Sequence, residues 1–277
     1  MTPVALNKIE VRNVFKVFGS REKEVMTLLR EGLKKEQVLA QTGCVVGVND
    51  LSLSIHAGEV FVIMGLSGSG KSTLVRHLNR LIDPTSGQIL VDGENILDYG
   101  MPALRQFRRH KISMVFQGFG LLPHRNVLEN VAYGLKVRGE SKGQCNERAR
   151  HWISMVGLQG YEQAYVQQLS GGMRQRVGLA RALATDTDII LMDEAFSALD
   201  PLIRAEMQDQ LLELQRTLEK TIVFITHDLD EALRIGNRIA MLKDGQLIQV
   251  GTPQEILLSP ADDYVERFVQ RHRARLI

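Results

Sequence analysis

Apolar and polar positions change period several times along the chain, and each change marks an element. Ile9 and Val11 alternate with Glu10 and Arg12, and Leu51, Leu53 and Ile55 alternate with Ser52, Ser54 and His56. A period of two is that of a strand with one covered face. Between these strands, over residues 21–42, Val25, Met26, Leu29 and Leu33 recur at helical spacing among charges, which predicts an insertion of two short helices broken near Gly32. Short apolar runs predict further strands at residues 60–64, 88–91, 112–116, 188–192, 221–225, 239–242 and 247–250. Asp92-Gly93 and Asp244-Gly245 stand beside such runs, and the second is the stronger hairpin signal. Leu74, Val75, Leu78, Leu81 and Ile82 make one helical stripe, and Leu211, Leu214 and Leu218 another.

Strands that alternate with helices predict an α/β sheet, with antiparallel pieces near the N-terminus and after Asn237. Helical patterns without a strand predict a helical subdomain inserted over residues 118–180. No low-complexity linker or internal repeat interrupts the chain, so a single unit spanning residues 1–277 is expected. Composition adds exclusions. The longest apolar run, residues 60–64, is far short of the roughly 20 residues of a spanning helix, and the first residues lack the pattern of a secretion signal. Lys+Arg 34 against Asp+Glu 32 gives a net charge of +2, which argues against a nucleic-acid partner. Cys44 and Cys145, in no metal-ligand spacing, are expected to be free thiols in a reducing compartment. The tail over residues 264–277, with Arg267, Arg271, Arg273 and Arg275, is expected to be a helix end with a solvated basic face.

Chemistry enters at GLSGSGKST, which holds Gly65, Ser67, Gly68, Ser69, Gly70, Lys71, Ser72 and Thr73 between an apolar strand and an amphipathic helix. That context makes it a phosphate loop. Its glycines bring the main chain close to a polyphosphate, with successive N–H groups at a helix N-terminus. ATP is the expected ligand, with Lys71 on its β and γ phosphates and Ser72 as a ligand of Mg²⁺. The run IILMDEA ends a second apolar strand in two acids. Asp193 is placed to hold Mg²⁺, directly or through water, and Glu194 is the candidate general base for the attacking water.

A third motif narrows the choice. In LSGGMRQRVGLARALA, Ser170 is an N-cap residue, and Gly171 and Gly172 leave the backbone bare at a second anion-binding helix start. One chain has little use for two such starts on one γ-phosphate, so each site is expected to be completed by another subunit. The sequence here resembles the ATP-binding cassette ATPases over nearly its whole length. The resemblance implies a phosphate-loop NTPase (RecA-like) core with an antiparallel β subdomain and an inserted α-helical subdomain. It also implies residue roles. Ser170, Gly171 and Gly172 match the signature motif that presses on the partner's γ-phosphate. Gln117, after ISMVF, matches the glutamine that senses Mg²⁺ and the attacking water. Asp200 in SALD matches the D-loop, His227 in VFITHD the switch histidine, and Phe18 the aromatic residue that stacks on adenine, with Phe15 close by.

The insertion at 21–42, IMGLSGSGKST, MVFQGFGLLPHRNVLENVAYG, Met173 where most cassettes have Gln, and MDEAFSALDPLIRAEMQDQL together resemble the glycine betaine/proline importer ATPases. This implies an ATPase subunit that works as a homodimer with transmembrane permease subunits and an extracytoplasmic solute-binding protein, on the cytoplasmic face of the inner membrane. The solute would be a quaternary ammonium compound or an amino acid, of the betaine, proline or choline type, with histidine an alternative. Well-known members continue into paired CBS regulatory domains; this chain stops at Ile277, so control through such domains is not expected. A soluble cassette acting on nucleic acid or ribosomes would call for coiled coils, a second cassette or excess basic charge. A phosphate-loop kinase would leave the signature, Gln117 and His227 without a role.

Overall fold

The computed structural model describes residues 6–197 and 199–273. They form two compact units, residues 6–99 with 225–273, and residues 100–224. The undivided pattern of the sequence predicts one. No linker marks the division because the chain passes directly into an ordered element at Gly100, the N-cap of the next helix.

The first unit opens with β1 (Asn7–Phe18), α1 (Glu22–Arg30), α2 (Lys35–Thr42), β2 (Val45–His56), β3 (Val60–Met64), α3 (Lys71–Leu78), β4 (Ser86–Val91) and β5 (Glu94–Asn95). One four-stranded sheet has the order β2-β1-β4-β5. Its register sets Ile9 opposite Ile55, Val11 opposite Leu53 and Val17 opposite Val46, all buried, so the alternation in the sequence is the pleat itself. The predicted insertion is α1 and α2. Glu22 and Glu24 in the first turn of α1 and Arg30 in its last complement the helix dipole. Gly32, at φ +87, makes the break. Val25, Met26 and Val38 close over Val17 and Val46 of the flanking strands and Cys44 just before β2. The stripe predicted through Ile82 is cut short: α3 ends at Leu78, because the Asn79 side chain takes the Leu81 amide and Arg80 turns to φ +52.

The second unit carries α4 (Met101–His110), β6 (Ile112–Val115), α5 (Val127–Val131), α6 (Tyr133–Arg138), α7 (Lys142–Met155), α8 (Gly171–Ala184), β7 (Ile189–Asp193), α9 (Pro201–Leu218) and β8 (Thr221–Ile225). Its strands run in the order β8-β7-β6, with β6 and β7 parallel and Met114 opposite Leu191. Every residue of β7 is buried, as a strand covered on both faces requires. Strand β6 stops a residue before the predicted end, and β7 runs one residue past its predicted end, to Asp193. Before α5 the loop is tied by Asn130, fully buried, whose amide donates to the carbonyls of Leu122, Arg125 and Asn126 and accepts from the Leu122 amide. Leu211 of the predicted stripe is buried; the side chains of Leu214 and Leu218 lie outside the described residues.

The chain then returns to the first unit with α10 (Leu229–Ile235), β9 (Arg238–Lys243), β10 (Gln246–Gly251), α11 (Pro253–Leu258) and α12 (Asp263–Arg273). Strand β9 lies between β3, to which it is parallel, and β10, to which it is antiparallel. Both Asp-Gly pairs are hairpin turns with two positive φ angles, +51 and +84 at 92–93 and +53 and +82 at 244–245. In the predicted basic tail, Val265 and Val269 are buried, while the side chains of Arg271 and Arg273, and Arg275 itself, lie outside the described residues. No helix among the described residues is long and apolar enough to cross a membrane.

Cys44 and Cys145 are both free and buried, and burial pushes the Cys145 thiol above its ordinary pKa. Under reducing conditions both are expected to react slowly with a thiol reagent in the native chain and rapidly after denaturation. Fast labelling of either thiol in the native state would contradict this packing.

Candidate active site

The two units each carry part of the predicted site. In the first, β3 delivers the chain into the loop at Gly65, whose φ of +150 and surroundings both exclude a side chain: a Cβ there would stand 2.2 Å from the Leu242 carbonyl oxygen. Gly70, the N-cap of α3 at φ +97, is equally confined, with the Gly47 carbonyl oxygen 2.4 Å from a would-be Cβ. The Gly245 amide donates to the Ser69 carbonyl at 3.1 Å, and the Asn49 amide to the Gly245 carbonyl at 2.9 Å. Strand β2 and the β9–β10 hairpin thus hold the loop by its backbone.

Lys71 is buried, and its ammonium donates to the carbonyls of Gly65 at 2.8 Å and Leu66 at 3.0 Å. The Ser69 hydroxyl is buried without a hydrogen-bond partner. A loop that gathers a cation, an unpartnered hydroxyl and the amides of a helix start is built to take a polyphosphate. Ser72 and Thr73, in the first turn of α3, are half-buried. The Phe18 ring is 39% exposed and lies against Gly47, with the Thr73 methyl on the same spot, whereas Phe15 packs on the buried cluster below the insertion. His227 is exposed just past β8. Its neighbour Thr226 is fixed by a buried hydrogen bond from its hydroxyl to Glu231, at 2.5 Å, and accepts from the Asp228 amide at 3.0 Å.

In the second unit, Asp193 is 1% exposed at the end of β7. Glu194 follows at φ +48, a left-handed angle that costs a residue with a side chain about 1–2 kcal/mol. Ser197 secures this turn, donating from its amide at 3.2 Å and its hydroxyl at 2.9 Å to the Glu194 carbonyl. The Glu194 carboxylate accepts from the Gln117 amide at 2.8 Å, so two predicted residues 77 positions apart meet.

Ser170 is the N-cap of α8, its hydroxyl accepting from the Met173 amide at 3.2 Å, and Gly171 and Gly172 stay partly exposed beside it. Asp200 likewise caps α9, accepting from the Ile203 amide at 3.1 Å. Arg181 of α8 reaches the loop after Gln117, donating to the carbonyls of Phe119 at 3.0 Å and Gly120 at 2.7 Å. Sequence patterns gave no sign of Gly47, Arg181 or the Thr226–Glu231 pair, whose positions are defined only by chain segments distant in sequence.

Among the described residues no group of three or more His, Cys, Asp or Glu side chains could hold a metal ion. Ser72, in the first unit, offers a hydroxyl and Asp193, in the second, a buried carboxylate, each a hard oxygen donor of the kind that Mg²⁺ takes.

A covered strand entering a glycine-bound phosphate loop, and a second ending in a paired acid, define a phosphate-loop nucleotide-binding protein. Residues 48–197 match the family model described as ABC transporter, and the chain belongs to that family. The glycine betaine transport ATP-binding protein OpuAA of Bacillus subtilis is 57% identical over 263 residues, 95% of this chain and 63% of that protein. The glycine betaine/proline betaine transport system ATP-binding protein ProV of Salmonella typhimurium is 58% identical over 94% of this chain and 65% of its own length. The chain therefore spans less than two thirds of either. The trimethylamine N-oxide transport system ATP-binding protein TmoW of Ruegeria pomeroyi is 51% identical over 97% of this chain and 79% of its own. Among solved structures, the dimeric structure of MJ0796, a bacterial ABC transporter cassette, superposes with a TM-score of 0.77 at 33% identity, covering 88% of this chain and 98% of that one.

The left-handed turn at Glu194 has a thermodynamic signature. Glycine is ordinarily less stable than alanine by roughly 0.5–1 kcal/mol, but at a left-handed position the order reverses. Glu194→Gly is expected to be more stable than Glu194→Ala by about 1 kcal/mol in denaturant unfolding. Alanine as the more stable of the two would mean that the turn carries no strain.

Proposed function

We propose that the chain is the ATP-hydrolysing subunit of a membrane importer for a quaternary ammonium compound or amino acid, of the glycine betaine, proline or choline type. The observation that carries the transport assignment is an identity of 55–58% with four glycine betaine transport ATP-binding proteins over 94–96% of the chain. The TmoW relatives, named for trimethylamine N-oxide, and the choline transport protein OpuBA, 45% identical, widen the solute class while keeping a methylated nitrogen in it.

The chemistry is assigned residue by residue. Gly65 to Thr73 hold the triphosphate, with Lys71 turning its ammonium from the loop carbonyls to the β and γ phosphates. Phe18, partly exposed with the Lys16 ammonium 5.2 Å over its ring, is assigned to the adenine, and the packing of Phe15 supports that choice between the two. Ser72 and Asp193 would hold Mg²⁺, which neutralises phosphate charge when bound. Gln117 is assigned to the same cation and the attacking water. Glu194 accepts the water's proton as it attacks the γ-phosphorus, and its hydrogen bond to Gln117 aims the carboxylate. His227 is assigned to the γ-phosphate.

Two copies would share two ATP molecules, each held by one copy's phosphate loop and the other's Ser170, Gly171 and Gly172, with Asp200 at the same junction. Because ATP contacts both faces only when they are closed, it shifts the pair toward closure by that difference in affinity. Hydrolysis and phosphate release reverse the shift. The tie from Arg181 to the loop after Gln117 would let movement of α8 reach the water site. Permease subunits are expected on the helical subdomain near the loop that Asn130 secures, a solute-binding protein outside the membrane, and this chain on the cytoplasmic face of the inner membrane.

Glu194→Gln is expected to bind ATP, lose about a hundredfold or more of turnover, and accumulate as a closed dimer. Hydrolysis near the parental rate would remove Glu194 from the role of base. Ser170→Arg is expected to bind ATP on its own phosphate loop yet fail to dimerise with it, read by gel filtration of the Glu194→Gln background. An ATP-bound dimer of Ser170→Arg would contradict the shared site.

A further inference from the structure

Tyr264, on α12, lies nearly two hundred residues from the phosphate loop in sequence and is bonded to it in space. Its hydroxyl accepts from the Leu66 amide at 3.1 Å and donates to the Leu242 carbonyl at 2.9 Å. Leu242 is the residue whose carbonyl lies against Gly65, so one phenol spans the entry of the loop and the strand that confines it. Burial pushes the Tyr264 pKa up, which keeps the proton it donates.

The ring is held as firmly as the hydroxyl. Phe268 meets it edge-on at 5.2 Å, and the Lys243 ammonium stands 5.3 Å over its face. The helix itself is anchored by buried Val265 and Val269. The segment before it is pinned to β10 by Gln249, which donates to the Ser259 carbonyl at 2.9 Å and accepts from the Ala261 amide at 2.8 Å.

The bonds at the Leu66 peptide explain why this would matter. Its carbonyl accepts from Lys71 and from the Ser69 amide, and its N–H is bonded to Tyr264. When Lys71 turns to the phosphates, the carbonyl side loses one restraint, and the N–H side keeps its own. We infer that Tyr264 is a positioning residue for nucleotide binding, through which α12 holds the entry of the phosphate loop in its phosphate-binding shape. It rests on the phosphate-loop reading above and extends it to a helix outside the motif. The position of α12 is thereby linked to ATP affinity, and anything that displaces the helix weakens the nucleotide site.

Tyr264→Phe removes one oxygen and leaves both ring contacts. It is expected to weaken ATP and ADP binding about three- to tenfold, the worth of one or two lost hydrogen bonds, and to raise the KM for ATP rather than lower kcat. A merely structural tyrosine would lower the unfolding midpoint and leave nucleotide affinity unchanged. Lys71→Ala, measured alongside, separates the two levels. If it loses nucleotide binding while Tyr264→Phe binds within twofold of the parent, the role of Tyr264 is overturned and the loop stands. If Lys71→Ala also binds normally, the phosphate-loop reading falls and this inference with it. Hydrogen exchange in the unaltered chain gives a second check: the Leu66 amide, in an otherwise exposed residue, is expected to exchange slowly, and exchange at the rate of an open loop would contradict the bond to Tyr264.

Discussion

The structure of the first unit turns on a close approach of backbone to backbone around the phosphate loop. The carbonyls of Gly47 and Leu242 press on Gly70 and Gly65 so closely that neither position has room for a methyl group. The Asp244-Gly245 turn completes the enclosure through the Ser69 carbonyl and the Asn49 amide. A loop held in this way does not have to be ordered by its ligand, so less of the binding energy is lost to conformational entropy. Strands β2, β3 and β9, the hairpin to β10, and α12 all serve to bring those few backbone atoms together.

The second unit uses a different constraint. Glu194 is kept at a left-handed backbone angle by Ser197, and its carboxylate is tied to Gln117. Asp193, one residue earlier, ends a fully buried strand. The two acids are therefore adjacent in sequence but held differently, the first buried at a strand end and the second exposed to backbone strain at a left-handed angle. The same unit carries α8, whose N-cap Ser170 faces outward and whose Arg181 reaches back to the loop after Gln117.

The phosphate loop, the acid pair ending a buried strand, the N-cap of α8 and the Asp244-Gly245 hairpin are legible in the sequence because each is a local pattern: glycines at fixed offsets, an apolar run ending in acids, an N-cap before a helical face. The helical period outruns α3 because Leu81 and Ile82 keep it after the Asn79 side chain and the turn at Arg80 have ended the helix. Gly47 and Tyr264 could not be read at all. Neither belongs to a periodic pattern, and what distinguishes each is an atom brought to the loop from elsewhere in the chain. The division into two units was equally silent, since a helix N-cap at Gly100 looks the same inside a unit as at its edge.

On the proposed function, a preformed loop recognises the polyphosphate of a nucleotide through its amides and Lys71. Calorimetric titration with Mg-ATP, ADP and AMP tests it most directly. ATP and ADP are expected to bind at least about tenfold more tightly than AMP, as charge-assisted hydrogen bonds to the β phosphate require. Equal affinity for all three would mean that the loop is not where the nucleotide is held.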